Sequence, residues 1–290
     1  MNFKKIIATV LSSVALFANV ALPAFASTTL EITGNGADSN NTTTVSTDQQ
    51  TVVAQTNTSN IVNDVTADSS TGGNKADKNT GGSVNIDTGD SKTLVTVQNS
   101  ANSNIADVEN CNCGTDAEVV ISGNGADSKN KAKLNLGGST IVAQSNDSYV
   151  SNNVDADSST GDNSAKKNTG GNVEIATGNA VTHVDLSTAV NSNWAKVSGG
   201  NHVLGDGVSL KILGNGADSS NAIKLDLGRD ILLQQYNDSE INNWVTTEAE
   251  TGDNKAKSNT GGASSIDTGN AFAGAVVDNA ANFNSANVDC

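Results

Sequence analysis

The chain writes one pattern three times. GNGADS stands at Gly34–Ser39, Gly123–Ser128 and Gly214–Ser219, so its copies are offset by 89 and 91 residues. NTG keeps those offsets from Asn79, Asn168 and Asn259, and a TG pair keeps them from Thr88, Thr177 and Thr268. Landmarks that move together over this length require three copies of one structural unit. The copies divide the chain at 27–118, 119–209 and 210–290, read as one continuous structure behind a leader at 1–26. A catalytic pocket needs unlike groups converging on one point, whereas a repeat presents the same surface again. The pattern therefore predicts a scaffold, fibre or multivalent binder and no enzyme.

The leader has a basic start at Lys4 and Lys5, an apolar run from Ile6 to Leu22, and Ala24-Phe25-Ala26 before Ser27. That is the build of a secretory signal cut after Ala26, and no later apolar run predicts membrane insertion. The chain is expected outside the cell or on its surface. With 16 basic and 31 acidic residues the net charge is −15, which becomes about −17 once two leader lysines are gone. Such acidity disfavours nucleic acid and anionic membrane as partners. Beyond the leader the only aromatics are Tyr149, Trp194, Tyr236, Trp244, Phe272 and Phe283, too few for a core of large rings.

Short alternating runs such as Leu30-Glu31-Ile32, Val84-Asn85-Ile86, Leu134-Asn135-Leu136 and Val173-Glu174-Ile175 put aliphatics on one face and polar residues on the other. Glycine- and asparagine-rich turns separate them, and no helical period emerges, so the prediction is all-β. Gly34, Gly72 and Gly89 are spaced by 38 and 17 residues, and the other copies repeat both intervals. Spacings near multiples of 17 to 19 predict a β-solenoid in which each copy winds about five short coils. A string of immunoglobulin-like sandwiches matches the long period, but the first copy has no aromatic to fill such a core. Asparagines recur in register: Asn41, Asn130 and Asn221; Asn57, Asn146 and Asn237; and, with drift, Asn60, Asn153 and Asn243. Stacked coils would join them as amide ladders; turn propensity is the alternative reason for their abundance.

The GNGADS turn followed by asparagine resembles the curlin repeats of bacterial curli, in which a Gly-Asn-x-Ala turn links two short strands with stacked amides. Ala37, Ala126 and Ala217 are each followed four residues on by Asn41, Asn130 and Asn221, where a curlin repeat carries glutamine. The likeness is confined to these turns. It implies a secreted β-solenoid that forms fibres.

Candidate sites are sparse. Cys111, Cys113 and Cys290 are an odd number of thiols in an exported chain, which suggests a disulfide or an intermolecular cross-link. Asp155/Asp157 and Glu248/Glu250 place carboxylates two apart on one strand face, a weak calcium-binding pattern whose alternative is a hydrated acidic face. His183 and His202 stand in no motif. Trp194 and Trp244 are read as local packing, with sugar stacking as the alternative. No catalytic residue and no cofactor is expected, calcium being the one weak candidate. The reading is a structural or adhesive surface protein whose partner is itself; the alternative is a binding module for surface glycans, surface proteins or calcium.

Overall fold

In the computed structural model, the described residues are 5–11, 15–20, 28–109, 117–198 and 208–289. Cys111, Cys113, Cys290 and His202 lie outside them. Two N-terminal strands, β1 (Lys5–Leu11) and β2 (Ala15–Val20), precede three equivalent sets. The first copy supplies β3 (Thr28–Thr33), β4 (Asn40–Ser70), β5 (Lys75–Asp77), β6 (Val84–Thr88) and β7 (Ser91–Glu109). The second supplies β8 (Ala117–Ser122), β9 (Lys129–Ser159), β10 (Ser164–Lys166), β11 (Val173–Thr177) and β12 (Ala180–Ser198). The third supplies β13 (Val208–Leu213), β14 (Ser220–Glu250), β15 (Lys255–Lys257), β16 (Ser264–Asp267) and β17 (Ala271–Asp289).

The described chain is all-β, with parallel strands in stacked sheets, an arrangement compatible with a β-solenoid. Every sheet takes one strand from each copy with the second copy in the middle: β3-β8-β13, β4-β9-β14, β5-β10-β15, β6-β11-β16 and β7-β12-β17. Each residue lies beside its sequence equivalent, Val53 against Val142 and Leu233 for example. One copy is thus one layer, and layers sit about 4.8 Å apart as strands in a sheet do.

The 17-to-19-residue coil is corrected by this register. Pairing partners between copies are 89 or 91 residues apart in all five sheets, never about 18. The landmark glycines mark bends inside a layer. GNGADS folds β3 back onto the start of β4, with Gly34 at φ +67° and Asp38 at φ +59°, a left-handed backbone that glycine and aspartate tolerate. That arch buries Ala117, Val119 and Ile121 against Ala132, Leu134 and Leu136 in the middle layer. The second half of each long strand is faced by the layer's last strand running the other way. Val142, Val150 and Val154 pack there with Val197, Val190 and Val184. The aliphatic period-two runs therefore do line a narrow core, while Tyr236, Trp244, Phe272 and Phe283 are all more than half exposed. Trp244 follows Asp64 and Asn153 on an outward row.

Candidate functional site

Asparagine side chains form rows that run through all three layers. The Nδ2 of Asn41 donates to Oδ1 of Asn130 at 2.9 Å, and Asn130 to Asn221 at 2.8 Å. Asn57 donates to Asn146 at 3.2 Å and Asn146 to Asn237 at 3.0 Å. Further rows join Asn35–Asn124–Asn215, Asn63–Asn152–Asn243, Asn74–Asn163–Asn254, Asn79–Asn168–Asn259, Asn102–Asn191–Asn282 and Asn104–Asn193–Asn284. Asn60 belongs to none of these rows. Its partners are Tyr149 and Glu240, and the drift assumed for Asn60, Asn153 and Asn243 conceals the row three residues on, at Asn63.

Two rows also interlock across the core. Asn57 donates to Asn104, Asn104 to Asn146, Asn146 to Asn193, Asn193 to Asn237 and Asn237 to Asn284, each between 2.7 and 2.9 Å. Asn104, Asn146 and Asn193 are fully buried. Buried amides are tolerated only when their hydrogen bonds are made, and here each layer supplies what the next requires.

All eight asparagine rows have one sense: an earlier copy donates to a later one. In three of the rows backbone geometry fixes that sense. The N–H groups of Asn35, Asn74 and Asn79 donate to Oδ1 of Asn124, Asn163 and Asn168, so the oxygen must face the earlier copy. The glutamine row runs the other way, Gln235 to Gln144 to Gln55. The two ends of the stack therefore differ chemically.

The acidic residues keep their two-residue spacing on one strand face, with Asp155 and Asp157 both outside the buried row of Val154 and Ala156. Asp157 shares a cross-layer row with Asp68 and Glu248, Asp155 lies between Thr66 and Thr246, and Glu250 lies beside Ser159. No three carboxylate, histidine or cysteine groups are placed to hold one metal ion among the described residues. Burial, then the charges of Asp253, Asp162 and Glu248, holds the Glu250 carboxyl above the ordinary carboxylate range. His183 contacts Asp185 at 3.0 Å on an exposed face. No protein-family model, curated protein or solved structure matches the chain.

Proposed function

We propose that the chain is an exported β-solenoid with one copy of about 90 residues per turn, and that it is a non-enzymatic structural or adhesive subunit assembling end to end into fibres. One observation carries the reading. Among the described residues, β4 and β14, each 31 residues long, are hydrogen-bonded to β9 on one side only, which leaves a long backbone edge at each end of the stack. Native sheets guard such edges with proline, bulges or short strands, and neither strand contains a proline. A proline-free edge of this length is a template for another strand of the same kind.

Negative-stain electron microscopy of the processed chain, with and without reductant, tests the proposal. Filaments are expected. Their loss on reduction would assign Cys290 or the Cys111/Cys113 pair to the joints. Uniform short rods at high concentration would overturn the fibre reading. A second reading, glycan binding, is favoured by a groove of about 570 Å³ that crosses the layers over Ala54, Thr56, Ala143 and Ser145 and ends at exposed Tyr236. Binding of soluble glycans to monomeric rods would support it.

A further inference from the structure

We infer that chains join head to tail: the third-copy end of one molecule seats on the first-copy end of the next, in the parallel register that joins copies inside the chain. This rests on the assembly reading above and adds its polarity and its contact points.

Glycine placement carries the inference furthest. A Cβ on Gly72 would fall under 3.0 Å from the carbonyl of Gly161, and one on Gly161 would meet Gly252 in the same way. Layer stacking therefore demands glycine at the first two positions. The third, Gly252, has nothing within 4 Å of its Cβ position and no positive φ, so nothing among the described residues requires glycine there. The opposite end shows the mirror case. A Cβ on Gly125 would strike Gly36 and Ala37, and one on Gly178 would strike Gly89, yet Gly36 and Gly89 themselves face open space without positive φ. Gly252 projects away from the third copy, and Gly36 and Gly89 project away from the first. Another layer stacked at either end would meet the bare backbone that the internal layers need.

Hydrogen bonding selects the same occupant. At the third-copy end the amide of Asn284 accepts from Asn193 and Asn237 but donates to no described residue. Asn254 accepts from Asn163 but donates only to the carbonyl of Thr251, although Asn74 and Asn163 at the same position also donate to the next copy. The first-copy end carries the matching outward acceptors, the Oδ1 atoms of Asn35, Asn57 and Asn74. Third copy on first copy puts donor against acceptor in every asparagine row, whereas two like ends would oppose donor to donor. Such an interface is heterologous and open, and grows filaments with a direction. The first-copy edge also receives a strand in the full chain. β1 lies parallel on β7 with Lys5 opposite Leu94, the same 89-residue offset that pairs β12 with β7. Cleavage of the leader frees that edge.

The test uses two variants of the processed chain. Gly252→Ala blocks the third-copy end, and Gly36→Ala with Gly89→Ala blocks the first-copy end. Each added methyl meets open space in the single molecule, so unchanged melting is expected. Overpacking at the joint predicts roughly 10- to 100-fold weaker elongation for each variant alone. Mixed, the two variants form 1:1 dimers by analytical ultracentrifugation, because each retains the end that the other lacks. Asn284→Asp, which keeps the accepting oxygen and removes the free donor, repeats the test should Gly252→Ala disturb its turn. Dimers of either variant alone would mean like ends meet, which overturns the polarity and leaves fibre formation standing. Full-length filaments from both variants would show that these glycines are not at the joint, with the same consequence. An unmodified processed chain that stays monomeric would remove the assembly reading itself.

Discussion

Replacing Asn146 by alanine probes the interlocked amide rows at their centre. Asn146 accepts from Asn57 at 3.2 Å and Asn104 at 2.9 Å. It donates to Asn193, Asn237 and the carbonyl of Ser192 at 2.8, 3.0 and 3.3 Å. Three donor contacts share two hydrogens, so about four hydrogen bonds are lost. At about 1 kcal/mol net for each, the substitution costs about 4 kcal/mol. Asn57 at the first-copy end makes only donor contacts, to Asn104, Asn146 and the carbonyl of Ser103. Asn57→Ala should cost about 2 kcal/mol by the same reasoning. Asn153, whose one bond to Asp64 is exposed, serves as the control at roughly 0.5 kcal/mol or less. Urea unfolding of the dilute processed chain, followed by far-ultraviolet circular dichroism, measures all three. The reasoning is refuted if Asn146→Ala lies within about 1 kcal/mol of Asn153→Ala. It is equally refuted if the end position costs as much as the centre.

Gly161→Ala should destabilise the chain by about 3 kcal/mol or abolish folding, because its Cβ meets the Gly252 carbonyl, and comparison of melting curves with Gly252→Ala isolates that contact. Glu250 binds its proton more tightly in the folded chain than its ordinary value of 4.5 implies. Its contribution to stability is therefore present below that value and is lost as pH rises through the raised pKa. Glu250→Gln should flatten this decline, seen as a smaller difference between urea midpoints at about pH 4 and about pH 7. A chain that retains its leader, through a substitution blocking cleavage after Ala26, should elongate more slowly than the processed chain in light-scattering assays, because β1 and β2 occupy the edge of β7.

Much of the architecture is legible in the spacing of identical motifs. Offsets of 89 and 91 in GNGADS, NTG and TG are the very offsets at which strands pair. The size of the coil was not legible from the glycines, for a physical reason. A turn that closes a coil and a bend that folds a strand within a layer both favour a residue with little steric bulk, so Gly34, Gly72 and Gly89 look alike in sequence although only Gly34 is left-handed. Identity between copies distinguishes them: it recurs near 90 residues and not near 18. The Asn41 and Asn57 rows follow directly from that register, and the Asn60 set fails because a permitted drift replaced it. The polarity of the rows has no trace in composition. In three rows it is set by backbone N–H groups such as that of Asn74 meeting a side-chain oxygen one layer away, a relation between copies.

The subunit repeat along a filament tests the central claim most directly. Fibre diffraction or helical reconstruction of the assembled, processed chain should show strands about 4.8 Å apart along the axis, with an axial repeat of about 14 Å from three layers added in one direction. Filaments with another axial repeat or with two-fold symmetry between subunits would contradict head-to-tail stacking. A processed chain that remains a short rod at high concentration would contradict assembly altogether.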